Sequence, residues 1–221
     1  MTIAHHLDDA TLMRYASGDL DEAFLVVVAS HLAMCDHCRH AARKAEELGG
    51  ELLEEAEAAP VQAGSFEAVM NRLDTAETGD AVQPSPRPFG SAGSDVPLPL
   101  ARRIGGRLDD IAWRTIAPGV KKHVIATQPN SPSALYMLWV APGKAVPEHG
   151  HGGAELTLIL SGAYRDAFGI FGPGDIADLD EHVEHQPRVE DGAPCICLVA
   201  AETPIRFKGI VSRLLQPFVG I

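Results

Sequence analysis

The apolar positions of this chain follow two different rhythms. Up to about residue 78 they recur at helical spacing. Leu7, Leu12, Tyr15 and Ala16 open the pattern, and Glu22, Phe24, Val27, Val28 and Leu32 lie on a second helix with Asp19 as its candidate N-cap. A third helix is expected to start near Cys35 and Cys38, run through Ala41, Ala45 and Leu48, and stop at Gly49-Gly50. After a short acidic segment Ser65 reads as the N-cap of a fourth, on which Phe66, Val69, Met70 and Leu73 stand at i, i+3, i+4 and i+7. Little nearby in sequence can cover that stripe, so it must dock on the first three helices or on a partner.

The second rhythm is that of short strands. Apolar runs at 112–116, 135–140, 156–160 and 195–200 are separated by Pro118-Gly119, Pro142-Gly143 and Gly172-Pro173-Gly174-Asp175. Short runs punctuated by Gly and Pro predict a sandwich or barrel. The run from Leu135 to Val140 is apolar on both faces and therefore reads as an inner strand. Between the two regimes, Gly79 to Leu100 holds five prolines and reads as an extended, semi-flexible tether. The expected architecture is α+β with two domains: a small helical bundle over 1–78, a linker over 79–101 and an all-β domain over 102–221.

Charge adds to this division. The net charge is −12. Residues 1–80 hold 16 Asp/Glu and 5 Lys/Arg, a net of −11, which leaves −1 for the remainder. An acidic helical module repels nucleic acid, which argues against direct DNA binding, and it is attracted to basic protein surfaces. A solvated helical face would look the same, so charge alone decides nothing further. No stretch approaches the ~18 apolar residues of a membrane span, and the opening residues do not resemble a secretory signal. All four cysteines can be read without disulfides, in keeping with a cytoplasmic location.

Each regime carries its own set of metal-ligating residue types. In the helical part, His31, Cys35 and Cys38 give H-x3-C-x2-C. The two thiols can reach one ion at a helix start, and His6 is a fourth ligand if the N-terminus folds back, with His5, His37 and His40 as rivals. Mixed Cys and His ligands in a closed set suit structural zinc. In the β part, Gly143, His149, His151, Glu155 and Gly162 fit the first cupin motif at every position. His149 and His151, at i and i+2, point to one side of a strand. Glu155 returns to the same point after a bend that Gly152-Gly153 permits. The second cupin motif is weaker: its turn is Gly172-Pro173-Gly174-Asp175, and its histidine is His185, with His182 as rival. Three nitrogens and a carboxylate accept zinc, iron, manganese or nickel. Cys195 and Cys197 also share one side of a strand; they are redox candidates, although buried cysteines more often act as small hydrophobes.

An N-terminal histidine followed by H-x3-C-x2-C inside an acidic helical module resembles the zinc-binding anti-sigma domain. The stretch from His5 to Phe24 is similar to the opening of ChrR-type anti-sigma factors, which also carry a C-terminal cupin, and the likeness runs on to Gln216-Pro217-Phe218. The resemblance implies zinc on His6, His31, Cys35 and Cys38. It favours zinc at the cupin set of His149, His151, Glu155 and His185, and it supports His185 through the form Glu-His-x-Pro. It also implies that residues 1–78 bind an extracytoplasmic-function sigma factor, with the helix from Ser65 as an arm. Release would follow singlet oxygen or related oxidative stress sensed through the cupin. On this reading the protein is not an enzyme. The competing expectation is a cupin metalloenzyme, dioxygenase-like, with a structural zinc module and with Glu148, Glu181 or Tyr164 as possible acid–base groups.

Overall fold

The computed structural model describes residues 2–75 and 94–207. The helices are α1 (Asp9–Ser17), α2 (Glu22–Met34), α3 (Asp36–Glu54), α4 (Ser65–Thr75) and α5 (Leu98–Ile104). The strands are β1 (Arg114–Ala117), β2 (Val120–Val124), β3 (Ala134–Val140), β4 (His149–Gly150), β5 (Glu155–Ser161), β6 (Tyr164–Asp166), β7 (Gly169–Phe171), β8 (Ile176–Leu179), β9 (Glu184–His185), β10 (Arg188–Val189), β11 (Cys195–Ala201) and β12 (Arg206–Phe207). The expected α+β architecture, helices first and an antiparallel β domain after, is what forms. The stretch Gln216-Pro217-Phe218 and most of the expected tether lie outside the described residues.

Local chemistry accounts for the helix ends, and in four places it differs from the sequence reading. Asp8 caps α1 by accepting the Thr11 N–H at 2.6 Å. The cap of α2 is Asp21, not Asp19: its carboxylate accepts the N–H groups of Ala23 and Phe24. Asp19 instead faces the Arg14 side chain. Gly49-Gly50 does not stop α3, which continues to Glu54. Two glycines cost a helix about 1 kcal/mol each, and the good helix formers Glu51 to Glu54 carry it past them. Ser65 is the first residue of α4 rather than its cap, and its hydroxyl donates back to the Gln62 carbonyl at 2.6 Å. Residues 98–101, read above as the end of the tether, form the first half of α5, where Leu100 is fully buried.

The main sheet runs β1-β2-β3-β11-β5-β8, with two smaller sheets, β10-β6-β7 and β12-β4-β9. β3 is interior, as its doubly apolar pattern predicts. Period-two alternation sorts its side chains, and those of β5 and β11, onto two separate cores. Leu135, Met137, Leu156, Leu158, Leu198 and Ala200 pack with Phe24, Val27 and Val28 of α2. Tyr136, Val140, Ile159, Cys195, Cys197 and Val199 face the other way, into the interior of the β domain. α2 is apolar around its circumference because it is enclosed, with the sheet on one side and α3 and α5 on others. Through α2, the helical part is therefore fastened to the outer face of the main sheet. Among the described residues no helix is long and apolar enough to cross a membrane.

α4 lies outside this enclosure, as do Leu48, Leu52 and Leu53 at the C-terminal end of α3. Phe66 is 72% exposed, Leu73 64%, Val69 55% and Met70 42%. Among the described residues, the α4 stripe is not buried against the first three helices, as one branch of the sequence expectation required.

Gly162, the last glycine of the first cupin motif, turns the chain after β5 with φ +70°, and a methyl group there would collide with the Pro194 carbonyl. Backbone atoms cannot step aside as a flexible side chain would. Gly162→Ala is expected to cost about 2–4 kcal/mol. For a chain of this size that lowers the melting temperature by roughly 5–15 °C, which differential scanning calorimetry would read.

Candidate metal centres

The first group forms where the C-terminal end of α2 meets the start of α3. His31 lies in the last turn of α2, Cys35 separates the two helices, and Cys38 lies in the first turn of α3. Cys35 also caps α3, its sulfur accepting the Cys38 N–H at 3.5 Å. The extended N-terminal segment brings His6 in, with Nδ1 3.3 Å from Cys35 Sγ and 3.6 Å from Cys38 Sγ. One ligand atom from each of His6, His31, Cys35 and Cys38 lies within 4.8 Å of every other. His31, Cys35 and Cys38 are almost wholly buried. The rivals lie elsewhere. His5 stacks on Phe171, His40 donates to the Asp36 carbonyl, and His37 lies against the His6 ring without joining the group.

The donor chemistry suits a cation. His31 Nδ1 donates to the Gly174 carbonyl at 3.0 Å, which fixes the tautomer and leaves the Nε2 lone pair free. That Nε2 is buried without a protein partner. Burial holds the His31 imidazole at a pKa of about 4, so it stays neutral at physiological pH. Burial, followed by the neighbouring Cys35, pushes the Cys38 thiol up to about 11. A bound cation would have to displace that proton, and zinc does so readily.

The second group lies inside the β domain. β4 pairs with β9 so that His149 stands opposite His185, and His151 follows two residues after His149 on the same side. All three are buried and form one group. His149 Nδ1 donates to the Pro147 carbonyl at 2.9 Å. His185 Nδ1 donates to the Asp166 carboxylate at 3.0 Å. Both Nε2 atoms therefore carry lone pairs, and they face each other at 3.1 Å. Two lone pairs at that separation repel unless a proton or cation lies between them. Burial, and then the neighbouring His185, lowers the His149 pKa to about 4, which disfavours the proton. The buried Nε2 of His151 has no protein partner either. Glu155 lies beside it, Oε2 3.4 Å from His151 Nδ1, with Oε1 accepting the Thr157 hydroxyl. Burial raises the Glu155 carboxyl, but the hydrogen bond to His151 and the three histidines together hold it below its usual range. His182, the rival of His185, is on the surface beside Glu181.

A cavity of about 290 Å³ opens onto this group, with His149, His185 and Glu155 in one wall and Val120, Leu138 and Val189 among its apolar remainder. Cys195 and Cys197 also line it. Burial pushes the Cys195 thiol up to about 12 and the Cys197 thiol far up, so both are protonated and poorly nucleophilic, as small buried hydrophobes should be. Of the three acid–base candidates, Tyr164 lines the cavity and Glu148 and Glu181 are exposed.

Two functional carboxylates were not visible in the sequence. Asp166 orients His185 from nineteen positions earlier in the chain, and no motif marks it. Asp175 showed only as part of a turn. In the structure its Oδ1 accepts the N–H groups of Ala4 and His5, tying the segment next to His6 to the β domain.

Comparison with known proteins gives a consistent result. Residues 101–203 match the ChrR cupin-like domain family. The anti-sigma-E factor ChrR of Cereibacter sphaeroides is 44% identical over 221 residues, 100% of each chain. The crystal structure of Rhodobacter sphaeroides SigE in complex with the anti-sigma ChrR aligns with a TM-score of 0.76 and 42% identity, over 90% of this chain and 99% of that one.

Proposed function

Because the chain belongs to the ChrR family of anti-sigma factors, we propose that residues 1–78 bind an extracytoplasmic-function sigma factor and withhold it from RNA polymerase. The observation that carries this reading is α4, a helix whose whole apolar stripe is left in solvent, whereas α2 is buried around its circumference. Isolated exposed apolar residues are ordinary, but four on one helix face form a docking surface. The −11 charge of residues 1–80 favours a basic partner.

Zinc is the ion that best suits His6, His31, Cys35 and Cys38. It would act structurally there, adding folding energy to a small helical module. Zinc is also our reading for the cupin group of His149, His151, Glu155 and His185, with iron, manganese or nickel compatible with the same donors. Zinc in the cupin would be redox-inert, so oxidation would fall on the protein. In this account the cupin, over 102–221, senses singlet oxygen or related oxidative stress, and the sigma factor is then released. The segment 79–101 joins the two parts. A sigma-factor partner, and four cysteines that can be read without disulfides, support a cytoplasmic location.

The cavity beside the histidines, with the same His149, His151, Glu155 and His185, is what a dioxygenase-like enzyme would also use. Turnover of a small substrate by iron-loaded protein would favour that second reading.

The α4 surface is tested by replacing Phe66 and Leu73 with aspartate. Their exposure means the fold loses nothing by the change, so the melting temperature should hold within about 2 °C, the effect of a surface substitution of about 0.5 kcal/mol. The affinity for the sigma factor should fall by at least roughly 30-fold, as for loss of an apolar anchor worth about 2 kcal/mol or more. Isothermal titration with the purified sigma factor reads this, and unchanged affinity would remove α4 from the interface.

A further inference from the structure

The N-terminal metal-ligand group is held from two directions by a single turn of the cupin. On one side, the Gly174 carbonyl accepts His31 Nδ1–H at 3.0 Å and so aims the opposite ring nitrogen into the group. On the other side is the next residue, Asp175. Its Oδ1 accepts the Ala4 N–H at 2.7 Å and the His5 N–H at 2.9 Å, and its Oδ2 closes the turn on the Gly172 N–H at 2.8 Å. The Asp175 side chain is only 8% exposed. Further contacts hold the same segment: the Ile176 N–H donates to the His5 carbonyl, and the Ile3 side chain lies over Gly174. Two of the four ligands, His6 and His31, thus take their positions from residues that belong to the β domain.

The same turn also leads towards the cupin cavity. The His5 ring stacks on Phe171 with centroids 3.9 Å apart, and Phe171 stacks on Tyr164 at 4.9 Å. Tyr164 lines the cavity that holds the second histidine group.

We propose that the turn Gly172–Asp175 is the outer shell of the N-terminal metal site, with Asp175 as its positioning residue, so that the cupin sets how tightly the helical part holds its ion. This rests on the reading of His6, His31, Cys35 and Cys38 as metal ligands. Outer partners that fix ligand orientation are typically worth 10–100-fold in metal affinity. Here they lie on a different structural unit from the ligands, which turns an ordinary supporting contact into a link between the two sites. The coupling is reciprocal: an ion on the four ligands strengthens the grip of the N-terminal segment on the cupin by the same factor. A shift of the β7–β8 turn loosens both.

The test uses the full chain and Co²⁺ as the probe. Thiolate-to-cobalt charge-transfer absorption reports the N-terminal site, and Cys35→Ser with Cys38→Ser supplies the blank. Affinity is read by competition with a chelator. Asp175→Ala should lower cobalt affinity at this site by roughly 10–100-fold, and Asp175→Asn, which keeps one acceptor oxygen, by less. Ala4→Pro removes one of the N–H donors without altering the cupin and should lower affinity several-fold; it decides the matter if Asp175→Ala does not fold. A thiolate band that both Asp175→Ala and Ala4→Pro leave at wild-type affinity would overturn the proposal alone. A folded wild-type chain with no thiolate band would overturn the four-ligand site and the proposal with it.

Discussion

Replacing Cys35 and Cys38 together with serine will abolish sigma-factor binding by this chain. Cys35 separates α2 from α3 and caps α3 with its sulfur, so it serves the helix and the ligand set at once. Without the two sulfurs only His6 and His31 remain, and two imidazoles do not hold a structural ion. Structural zinc contributes about 10–16 kcal/mol in small modules, comparable to the whole stability of a domain at about 5–15 kcal/mol. α2 should survive the loss, because Phe24, Val27 and Val28 are held in the core shared with the sheet. The angle between α2 and α3 should not, and with it goes the surface presented to the partner. The expected loss of sigma-factor affinity is at least about 100-fold, or about 2.7 kcal/mol at 1.36 kcal/mol per decade, read by titration calorimetry. Metal uptake at this site also has a predictable pH dependence. Burial sets the Cys38 thiol at about 11, so binding releases a proton at all pH values below that. Affinity therefore rises with pH across the physiological range.

Replacing His149 and His185 together with alanine should have the opposite profile: inhibition stays and the response is lost. Both histidines lie inside the β domain, on the face of the sheet away from the helices. They line the cavity with Tyr136, Cys197 and Val199, on the core face opposite α2, so sigma-factor affinity should stay within roughly twofold of wild type, the usual range for a substitution outside the interface. The cupin group, reduced to His151 and Glu155, should lose its ion. If the cupin is the sensor, transcription from the sigma factor's promoter should then stay at its uninduced level under singlet oxygen. A reporter assay, paired with metal analysis of the purified variant, reads both parts. Normal induction in a variant shown to lack cupin metal would remove this site from the mechanism.

Much of this organisation was legible in the sequence, for reasons that can be traced to particular residues. Leu135 to Val140 and Cys195 to Ala200 are apolar at every position because each strand faces a core on both sides. That His31, Cys35 and Cys38 would come together, and His149 with His151, was legible because thiol and imidazole at short fixed spacings have few other uses. His6, the least certain of the N-terminal four, is brought in by contacts made 170 or so positions away, at Asp175. Such contacts leave no local pattern. Asp166 was invisible for the same reason, since it meets His185 across strands. The apolar circumference of α2 indicated enclosure, but not that the cupin sheet would supply one wall. Gly49-Gly50 misled because glycine weakens a helix without ending it where strong formers follow.

The central claim is that this chain inhibits a sigma factor through its metal-bearing helical part. It is tested most directly by transcription in vitro with RNA polymerase and the extracytoplasmic-function sigma factor of the same organism. Full-length zinc-loaded protein is added up to one equivalent of the sigma factor, and the Cys35→Ser, Cys38→Ser protein runs beside it. The account predicts that transcripts from the sigma-dependent promoter fall to background near one equivalent and are unaffected by the variant. Undiminished transcription with excess wild-type protein, folded and zinc-loaded, would contradict it.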